Sequence, residues 1–313
     1  MGHPVGPAEH SARLPEWLRK TRDLKSLHVL KKRLRCAGLS TVCEEARCPN
    51  ISECFGAPTA TFLILGDRCT RDCMFCSVAN GTPSPPDPDE PARIASAVSE
   101  LGLTHAVVTS VTRDDLPDHG AGVFAATIRA IRDAVPGCTV EVLTPDFCGK
   151  QDPLETVLAE KPDVFGHNVE TVRRLQGTLR PRADMTRSLA LLKTAKGVAQ
   201  DIVVKSGFMV GLGESEEEIK ELLLSLVDAQ CDVVTIGQYL RPTRHQVPVR
   251  KYWEPGAYER WSNLARSLGI VYCVAGPFVR SSYRAGEVLD AMRSVRREQA
   301  CLLNKEILWT RFR

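Results

Sequence analysis

Short apolar runs rich in β-branched residues alternate with amphipathic stretches along the chain from Thr59 onward. The runs have the length of buried strands, and the stretches between them have the apolar spacing of helices. The predicted strands are Ala60–Leu65, His105–Val111, Thr139–Thr144, Val164–Val169, Val203–Val210 and Val233–Leu240. The predicted helices between them are Glu90–Leu101, Gly122–Ala134, Pro153–Ala159, Thr186–Ala199 and Ser215–Ala229.

This alternation predicts an α/β protein with a parallel sheet. Six strand–helix units favour a partial (β/α)6 barrel of the TIM type, and a doubly wound open sheet is the alternative. A helix at Pro255–Leu268 and an apolar strand at Ile270–Ala275 are expected to follow. We expect an N-terminal extension over residues 1–58, the barrel over 59–270 and a C-terminal extension over 271–313.

Composition narrows the class of protein only slightly. The chain has 313 residues, of which 43% are hydrophobic and 25% charged, as in an ordinary globular protein. A net charge of +3 is too close to neutral to indicate a nucleic-acid partner. The sequence has no apolar run of about eighteen residues and no apolar signal core, so we expect a cytoplasmic protein without a membrane partner.

Cysteine is the unusual component, with 12 residues, and seven of them lie at or before position 76. Clustered cysteines in a cytoplasmic protein indicate metal or cluster ligands before disulfides. Cys36 and Cys301 have no assigned role. Four others lie in or beside apolar runs and are predicted to be buried structural thiols: Cys138, Cys148, Cys231 and Cys273.

Cys69, Cys73 and Cys76 form a C-x3-C-x2-C motif directly after the first predicted strand. In a barrel of strand–helix units, the carboxyl ends of the strands form the catalytic face. Three thiolates in one loop can hold three corners of a [4Fe–4S] cube that needs four ligands, which leaves one iron open. A structural zinc site and a redox-active C-x-x-C pair are the alternatives, although zinc usually takes two spaced pairs of ligands.

Cys43, Cys48 and Cys54 form a second motif, C-x4-C-x5-C, just upstream. A zinc knuckle completed by a distant ligand is the alternative to a cluster here. Two adjacent sets of three cysteines favour two iron–sulfur clusters.

The C-x3-C-x2-C motif after a first strand resembles the signature of the radical S-adenosylmethionine (SAM) superfamily. The upstream motif, within LSTVCEEARCPNISECF, resembles the auxiliary-cluster motif of lipoyl synthases. The resemblance extends over about residues 39 to 287. It includes the segments VVTSVTRDDLPDHGA, EVLTPDF, HNVETVRRL, VKSGFMVGLGE, QYLRP and GPFVRSSYRAGE.

The resemblance implies a partial barrel of the radical SAM type that binds SAM and two [4Fe–4S] clusters. It assigns Cys69, Cys73 and Cys76 to the cluster that cleaves SAM. The auxiliary cluster is assigned to Cys43, Cys48, Cys54 and a serine of the RSSY motif: Ser282, with Ser281 as the alternative. A hydroxyl is a weaker ligand than a thiolate in such a site, which suits a cluster that must open.

Lipoyl synthases insert two sulfur atoms, at C6 and C8 of an octanoyl chain carried on a lysine of a lipoyl carrier domain. They consume two SAM molecules, and the auxiliary cluster is the sacrificial sulfur donor. The implied partners are octanoylated carrier domains (2-oxoacid dehydrogenase E2 subunits and the glycine cleavage H protein), reduced ferredoxin or flavodoxin, and an iron–sulfur carrier for cluster repair. Another sulfur-inserting radical SAM enzyme and a non-catalytic cluster carrier are the alternatives.

Polar residues at the predicted strand ends are candidate contacts of SAM, with structural ion pairs as the alternative explanation. They are Thr109, Ser110, Arg113, Asp114, Asn168, Glu170, Lys205, Ser206, Gln238 and Arg241. The proposed chemistry does not require His105, His119 or His245, and we predict packing or surface roles for them. His119 interrupts the Asp-Gly-Gly expected from the family.

Overall fold

The computed structural model describes residues 14–19, 32, 34–35, 37–50 and 60–311, without the side chains of residues 299–311. Ten strands lie within these residues. They are β1 (Ser40–Thr41), β2 (Thr61–Ile64), β3 (Arg68–Cys69), β4 (Ala79–Asn80), β5 (His105–Ser110), β6 (Thr139–Leu143), β7 (Val164–Gly166), β8 (Val203–Val210), β9 (Val233–Gln238) and β10 (Tyr272–Gly276).

Eight of the strands form one sheet in the order β1-β2-β5-β6-β7-β8-β9-β10, and β3 pairs with β4 in a separate ribbon. Strands β2 and β5 to β10 run parallel, whereas β1 is antiparallel to β2. Within the described residues, β1 and β10 form the two edges of the sheet and do not pair with each other, so the sheet is open.

Helices connect the parallel strands. They are α1 (Val42–Glu45), α2 (Glu90–Glu100), α3 (Ala121–Ala134), α4 (Gln151–Ala159), α5 (Arg173–Leu179), α6 (Met185–Val198), α7 (Glu216–Asp228), α8 (Pro255–Leu268) and α9 (Ala285–Arg311). Local sequence sets several of their ends. Ser215 and Glu218 form a capping box at the start of α7, and Gly269 ends α8 in the left-handed conformation with φ +114°.

The main core lies between the helices and one face of the sheet. Val108, Val142 and Val204 point to this face and share a buried cluster with helix residues such as Ile128 and Leu192. Because the connecting helices pack into this one cluster, they cover one face of the sheet rather than both. This arrangement is that of a partial barrel and not of a doubly wound sheet.

Helix α9 covers part of the other face, which is the inner face of the barrel. Val164, Val203 and Val233 form a second buried cluster with residues of α9. The α9 residues in this cluster are Val288, Leu289 and Met292. The register supports the assignment, since Val164 pairs with Val203 and the side chains of paired residues in adjacent strands lie on the same face.

The predicted α/β class and the six predicted strands are confirmed. The strand expected at Ile270–Ala275 is β10, which joins the same sheet as a seventh parallel strand. Strand β1 and helix α5 were not predicted, and both are short. The three regions proposed from the sequence stay a prediction.

Candidate active site with two cysteine clusters

The loop that carries Cys69, Cys73 and Cys76 lies at the carboxyl edge of the sheet, after β2. Distant parts of the chain hold it through backbone hydrogen bonds. The Met74 amide donates to the Leu179 carbonyl at 2.9 Å, and the Val247 amide donates to the Met74 carbonyl at 3.0 Å. The three thiols are therefore placed on the face where barrel enzymes bind their substrates.

The thiols of this loop are partly buried and lie close enough to influence one another. The Cys69 sulfur accepts the backbone amides of Arg71 at 3.4 Å and Thr112 at 3.3 Å. Burial raises the pKa of Cys73, and Arg180 opposes this effect. Burial, with the neighbouring sulfurs, raises the pKa of Cys76 to about 12. A bound cation displaces such protons readily, so the set fits an iron site.

Arg180 is a functional candidate that the sequence did not identify. Its side chain is buried, and Nη1 donates to the Val169 carbonyl at 3.2 Å. Its charge acts on both Cys73 and Glu170. It follows helix α5 rather than a strand, so the search for polar residues at strand ends could not find it.

The second set of cysteines lines a pocket together with the C-terminal segment. Its lining residues are Cys43, Cys48, Asn50, Thr61, Arg280, Ser282 and Tyr283. The short helix α1 carries Cys43, and Cys48 follows in the next turn. Cys54, the third predicted ligand, lies outside the described residues. The structure thus brings two of the cysteines and the predicted serine to one place.

The two serines of the RSSY motif have different surroundings. Ser282 lines the pocket with Cys43 and Cys48, whereas the Ser281 hydroxyl accepts a hydrogen bond from the Asn168 amide at 2.6 Å. The Asn50 amide donates to the Phe278 carbonyl at 2.6 Å and so ties the N-terminal motif to this segment. These contacts favour Ser282 over Ser281 as the ligand.

Arg280 supports the fit of an anionic group in this pocket. Burial lowers the pKa of Arg280, and Cys48 is the first group that opposes this effect. A buried cation is stabilised by a nearby negative charge. A cluster held by Cys48 would supply that charge at this position.

Glu170 and Asn168 interact with neighbours of both cysteine sets. Burial raises the pKa of Glu170, which Arg180, Asn168 and Arg280 oppose. Glu170 in turn acts on the thiol of Cys76, and its backbone has a positive φ of 66°. These interactions favour a functional role for two of the predicted SAM contacts, which stays a prediction.

The predicted contacts on β5 have structural partners. Thr109 donates to the Leu143 carbonyl at 2.7 Å, and Arg113 contacts Asp115 at 2.8 Å and the Leu65 carbonyl at 3.2 Å. These contacts favour the structural alternative for both residues. The Ser110 hydroxyl is buried without a hydrogen-bond partner in the described part of the chain, so its role as a contact stays a prediction.

Three further predicted SAM contacts have hydrogen-bond partners within the protein: Lys205, Gln238 and Arg241. Lys205 Nζ lies 2.8 Å from a Glu141 carboxylate oxygen. The Gln238 amide donates to the Lys251 carbonyl at 2.9 Å, and its oxygen accepts from the Tyr258 hydroxyl at 3.0 Å. Arg241 is exposed and donates to carbonyls of its own loop. These partners favour structural roles for the three side chains.

One prediction about the other cysteines is wrong. Cys138 and Cys231 are buried as expected and Cys273 is partly buried, but Cys148 is exposed. It lies in a 3-10 turn after β6, where its backbone φ is +52°. The turn after the carboxyl end of β6 carries the Cys148 side chain out of the core, although the strand before it is apolar.

The open parallel sheet with a three-cysteine loop defines a radical SAM enzyme. The family model "Radical SAM superfamily" matches residues 63–226. The folds of two solved structures agree. SuiB of Streptococcus suis bound to S-adenosylmethionine gives a TM-score of 0.55 at 14% identity, covering 73% of this chain and 53% of SuiB. Methylornithine synthase (PylB) gives 0.51 at 14% identity, covering 80% of this chain and 84% of PylB.

Curated relatives define the family more narrowly. The lipoyl synthase of Rubrobacter xylanophilus is 51% identical over 280 residues, which is 89% of this chain and 87% of the relative. The lipoyl synthase of Caldanaerobacter subterraneus subsp. tengcongensis is 50% identical over 283 residues, which is 90% of this chain and 99% of the relative. The chain belongs to the lipoyl synthase family. No helix in the described ranges is both long and apolar enough to span a membrane.

Proposed function

We propose that this enzyme inserts sulfur at C6 and C8 of an octanoyl chain carried on a lysine of a lipoyl carrier domain. The observation that carries the proposal is the pocket shared by Cys43, Cys48 and Ser282. The chain has this pocket in addition to the C-x3-C-x2-C loop. A simple SAM-cleaving enzyme would need only that loop. The second set, closed by a serine from the other end of the chain, adds a site that a sulfur-inserting reaction can use.

Cys69, Cys73 and Cys76 would hold one [4Fe–4S] cluster, and Cys43, Cys48, Cys54 and Ser282 a second. When bound, the clusters and two SAM molecules would supply the electrons, the hydrogen-abstracting radicals and the sulfur atoms. The chain's own residues position these groups. The amides of Arg71 and Thr112 donate to the Cys69 sulfur at 3.4 Å and 3.3 Å and so fix its position.

Glu170, Asn168 and Arg180 would orient the reactants between the two sites. A buried carboxylate can accept the amino or hydroxyl hydrogens of SAM, and a buried guanidinium can bind its carboxylate. Arg180 reaches both Cys73 and Glu170, so it would also offset negative charge near the first cluster. The reacting octanoyl carbon must enter this same space.

Ser282 would act as the releasable ligand of the second cluster. A hydroxyl binds iron more weakly than a thiolate in a soft coordination sphere. Its segment is anchored separately, by the contact of Asn50 with the Phe278 carbonyl at 2.6 Å. The serine could therefore detach while the segment keeps its place.

The substrates would be octanoylated carrier domains of 2-oxoacid dehydrogenase E2 subunits or the glycine cleavage H protein. Reduced ferredoxin or flavodoxin would donate the electrons, and an iron–sulfur carrier would rebuild the second cluster. These partners follow from the family and are the least specific part of the proposal.

Product analysis tests the proposal. Anaerobically reconstituted enzyme is incubated with SAM, a strong reductant and an octanoylated lipoyl-domain peptide, and the products are identified by mass spectrometry. The native enzyme should form 5′-deoxyadenosine and a dithiolated peptide. Ser282→Ala should still form 5′-deoxyadenosine but lose about tenfold or more of the thiolated product, because a removed ligand weakens the second cluster.

Ser281→Ala is the matched control and should lose less product than Ser282→Ala. Loss in the Ser281 variant alone would move the ligand to Ser281. Formation of 5′-deoxyadenosine without any thiolated peptide in the native enzyme would contradict the proposed substrate. A reconstituted content of about four irons instead of about eight would contradict the second cluster.

A further inference from the structure

Three potential metal ligands meet outside both cysteine sets. Asp114 and His119 lie in the loop between β5 and α3, and Cys148 lies in the turn after β6. Their ligand atoms all lie within 4.8 Å of one another. Because β5 and β6 are adjacent parallel strands, the loops after them meet at the same edge of the sheet.

His119 is the residue that points to a ligand. Its side chain is only 6% exposed, and both ring nitrogens are buried without a hydrogen-bond partner in the described part of the chain. Burying a polar group without a hydrogen-bond partner is unfavourable, and a bound ion would remove this penalty. Nδ1 lies 4.0 Å from a carboxylate oxygen of Asp114, which is too far for a hydrogen bond. The two atoms would need to approach by about half an ångström to bind one tetrahedral zinc ion.

The backbone of two of the three residues is strained. His119 has φ +53° and Cys148 has φ +52°, a conformation that favours glycine. Two strained residues that turn their side chains toward each other are a common feature of functional sites. Cys148 is exposed, and its thiol donates to a carboxylate oxygen of Asp114 at 3.3 Å.

Arg71 is the cation already present at this place. It contacts both oxygens of Asp114, at 2.8 Å and 2.9 Å, and one oxygen of Asp146 at 2.6 Å. Its Nη2 also lies 3.6 Å from the Cys148 sulfur. Asp146 retains the guanidinium if one oxygen of Asp114 turns to a metal, so the two cations can share the carboxylate.

We propose that Asp114, His119 and Cys148 form a binding site for a divalent transition metal, with Zn²⁺ as the best match. One thiolate, one imidazole and one carboxylate are ligands that zinc accepts together, and three protein ligands leave a fourth position for water. None of the three ligands belongs to a cysteine motif, although Arg71, which contacts Asp114, lies between Cys69 and Cys73. The zinc site does not depend on the proposed sulfur insertion.

Zinc binding is tested on enzyme reconstituted with its iron–sulfur clusters. The protein is incubated anaerobically with ZnSO₄, passed through a desalting column and analysed for zinc and iron. We expect one zinc per chain in addition to the iron. Zinc-edge X-ray absorption, which does not detect iron, should show one sulfur at about 2.3 Å and nitrogen or oxygen ligands at about 2.0–2.2 Å.

Two variants and a control identify the ligands. Cys148→Ala and His119→Gly should each weaken zinc binding at least tenfold in competition with a chelator. Glycine at position 119 removes the ring and suits the positive φ, so this variant should keep the fold. Cys138→Ala removes a buried thiol elsewhere and should bind zinc as the native enzyme does.

Two results would overturn the site. The first is zinc bound by two or more sulfur atoms, since that would place it in a cysteine motif. The second is zinc retained with native affinity in both the Cys148 and His119 variants. Iron and sulfide contents measured on the same samples show whether each variant still carries its clusters.

Discussion

His167 is a buried histidine that uses both ring nitrogens. Nδ1 lies 2.9 Å from the Thr144 carbonyl and Nε2 lies 3.0 Å from the Ser188 hydroxyl. A carbonyl only accepts, so Nδ1 carries the hydrogen and Nε2 accepts from Ser188. Burial, with the nearby charge of Arg180, lowers the pKa of His167 to about 4. The ring is therefore neutral at neutral pH.

This lowered pKa predicts a loss of stability in mild acid. The unfolded chain has the ordinary pKa of 6.5 at this position, so below it the unfolded state binds a proton that the native state does not. The free energy of unfolding should fall as the pH drops from about 6.5 toward 4. When the pH is lowered from 7.5 to 5.5, His167 alone should reduce the free energy of unfolding by about 1 kcal/mol.

His167→Gln should remove this contribution while keeping a side chain that can form hydrogen bonds. Urea unfolding of the reconstituted enzyme at pH 7.5 and 5.5 measures the difference for both proteins. Other titrating groups cancel in the comparison. An equal loss of stability in the variant and the native enzyme would mean that His167 takes up its proton in the folded state.

Single residues were predictable where the whole site lies in one short segment. Cys69, Cys73 and Cys76 are such a case, because their spacing favours a cluster over a zinc site, and their role as its ligands stays a prediction. Gln238 is the opposite case. It is a polar residue at a strand end, but its partner Tyr258 lies on a helix that no local pattern connects to it.

The segment 277–284 is the element that completes the second site, and it depends on close contact with β9. A Cβ on Gly237 would lie 2.1 Å from the Val279 carbonyl oxygen and 3.1 Å from an Arg280 nitrogen. The Cβ would overlap the Val279 carbonyl oxygen, and a backbone atom cannot move aside as the end of a flexible side chain can. Any side chain at position 237 must displace the segment that carries Ser282.

Gly237→Ala should therefore disturb the second site more than the first. After anaerobic reconstitution we expect iron to fall from about eight toward about four per chain, because only the first cluster keeps all its ligands. Cleavage of SAM to 5′-deoxyadenosine should persist. Iron and sulfide analysis, with measurement of 5′-deoxyadenosine, checks both points.

Gly197→Ala is a matched control. Gly197 lies in helix α6 with nothing within 4 Å of a Cβ, so its replacement should leave the iron content unchanged. Full iron content in the Gly237 variant would show that the segment does not need this close approach.

Elements were predictable where the apolar pattern is long enough. The six strands of the barrel were found in this way, since each lies in a buried run bounded by polar residues. Strand β1 has two residues and helix α5 has seven, which is too short for a pattern to show. The position of segment 277–284 on β9 depends on Gly237, and a single glycine in a strand does not reveal what approaches it.

At the scale of the whole molecule, described segments from both ends of the chain pack on the sheet. The N-terminal motif meets the C-terminal segment at the pocket of Cys43 and Ser282, and α9 covers the inner face of the sheet. The contact of Arg293 in α9 with Asp163 at 2.7 Å adds to this docking. The sequence predicted that Cys43 and Ser282 come together only through the resemblance to a family, because no local pattern relates residues so far apart.

The inner face also holds a buried ion pair that links β6 and β8. Lys205 and Glu141 lie 2.8 Å apart with side chains 3% and 2% exposed. His105 lies 3.7 Å from Glu141. Burial is outweighed by Lys205 and His105, so the pKa of Glu141 lies below its ordinary value. Glu141 is therefore a carboxylate at neutral pH.

Removing one member of this pair should be costlier than removing both. Lys205→Met leaves a buried carboxylate without its main partner and should lower the free energy of unfolding by about 3–5 kcal/mol. Lys205→Met combined with Glu141→Leu removes both charges, leaves His105 with its Thr139 contact, and should cost less than Lys205→Met alone. Urea unfolding of the two single variants, the double variant and the native enzyme gives the coupling energy. Additive losses would mean that the two charges do not stabilise each other and that the inner face depends on the valine cluster under α9 instead.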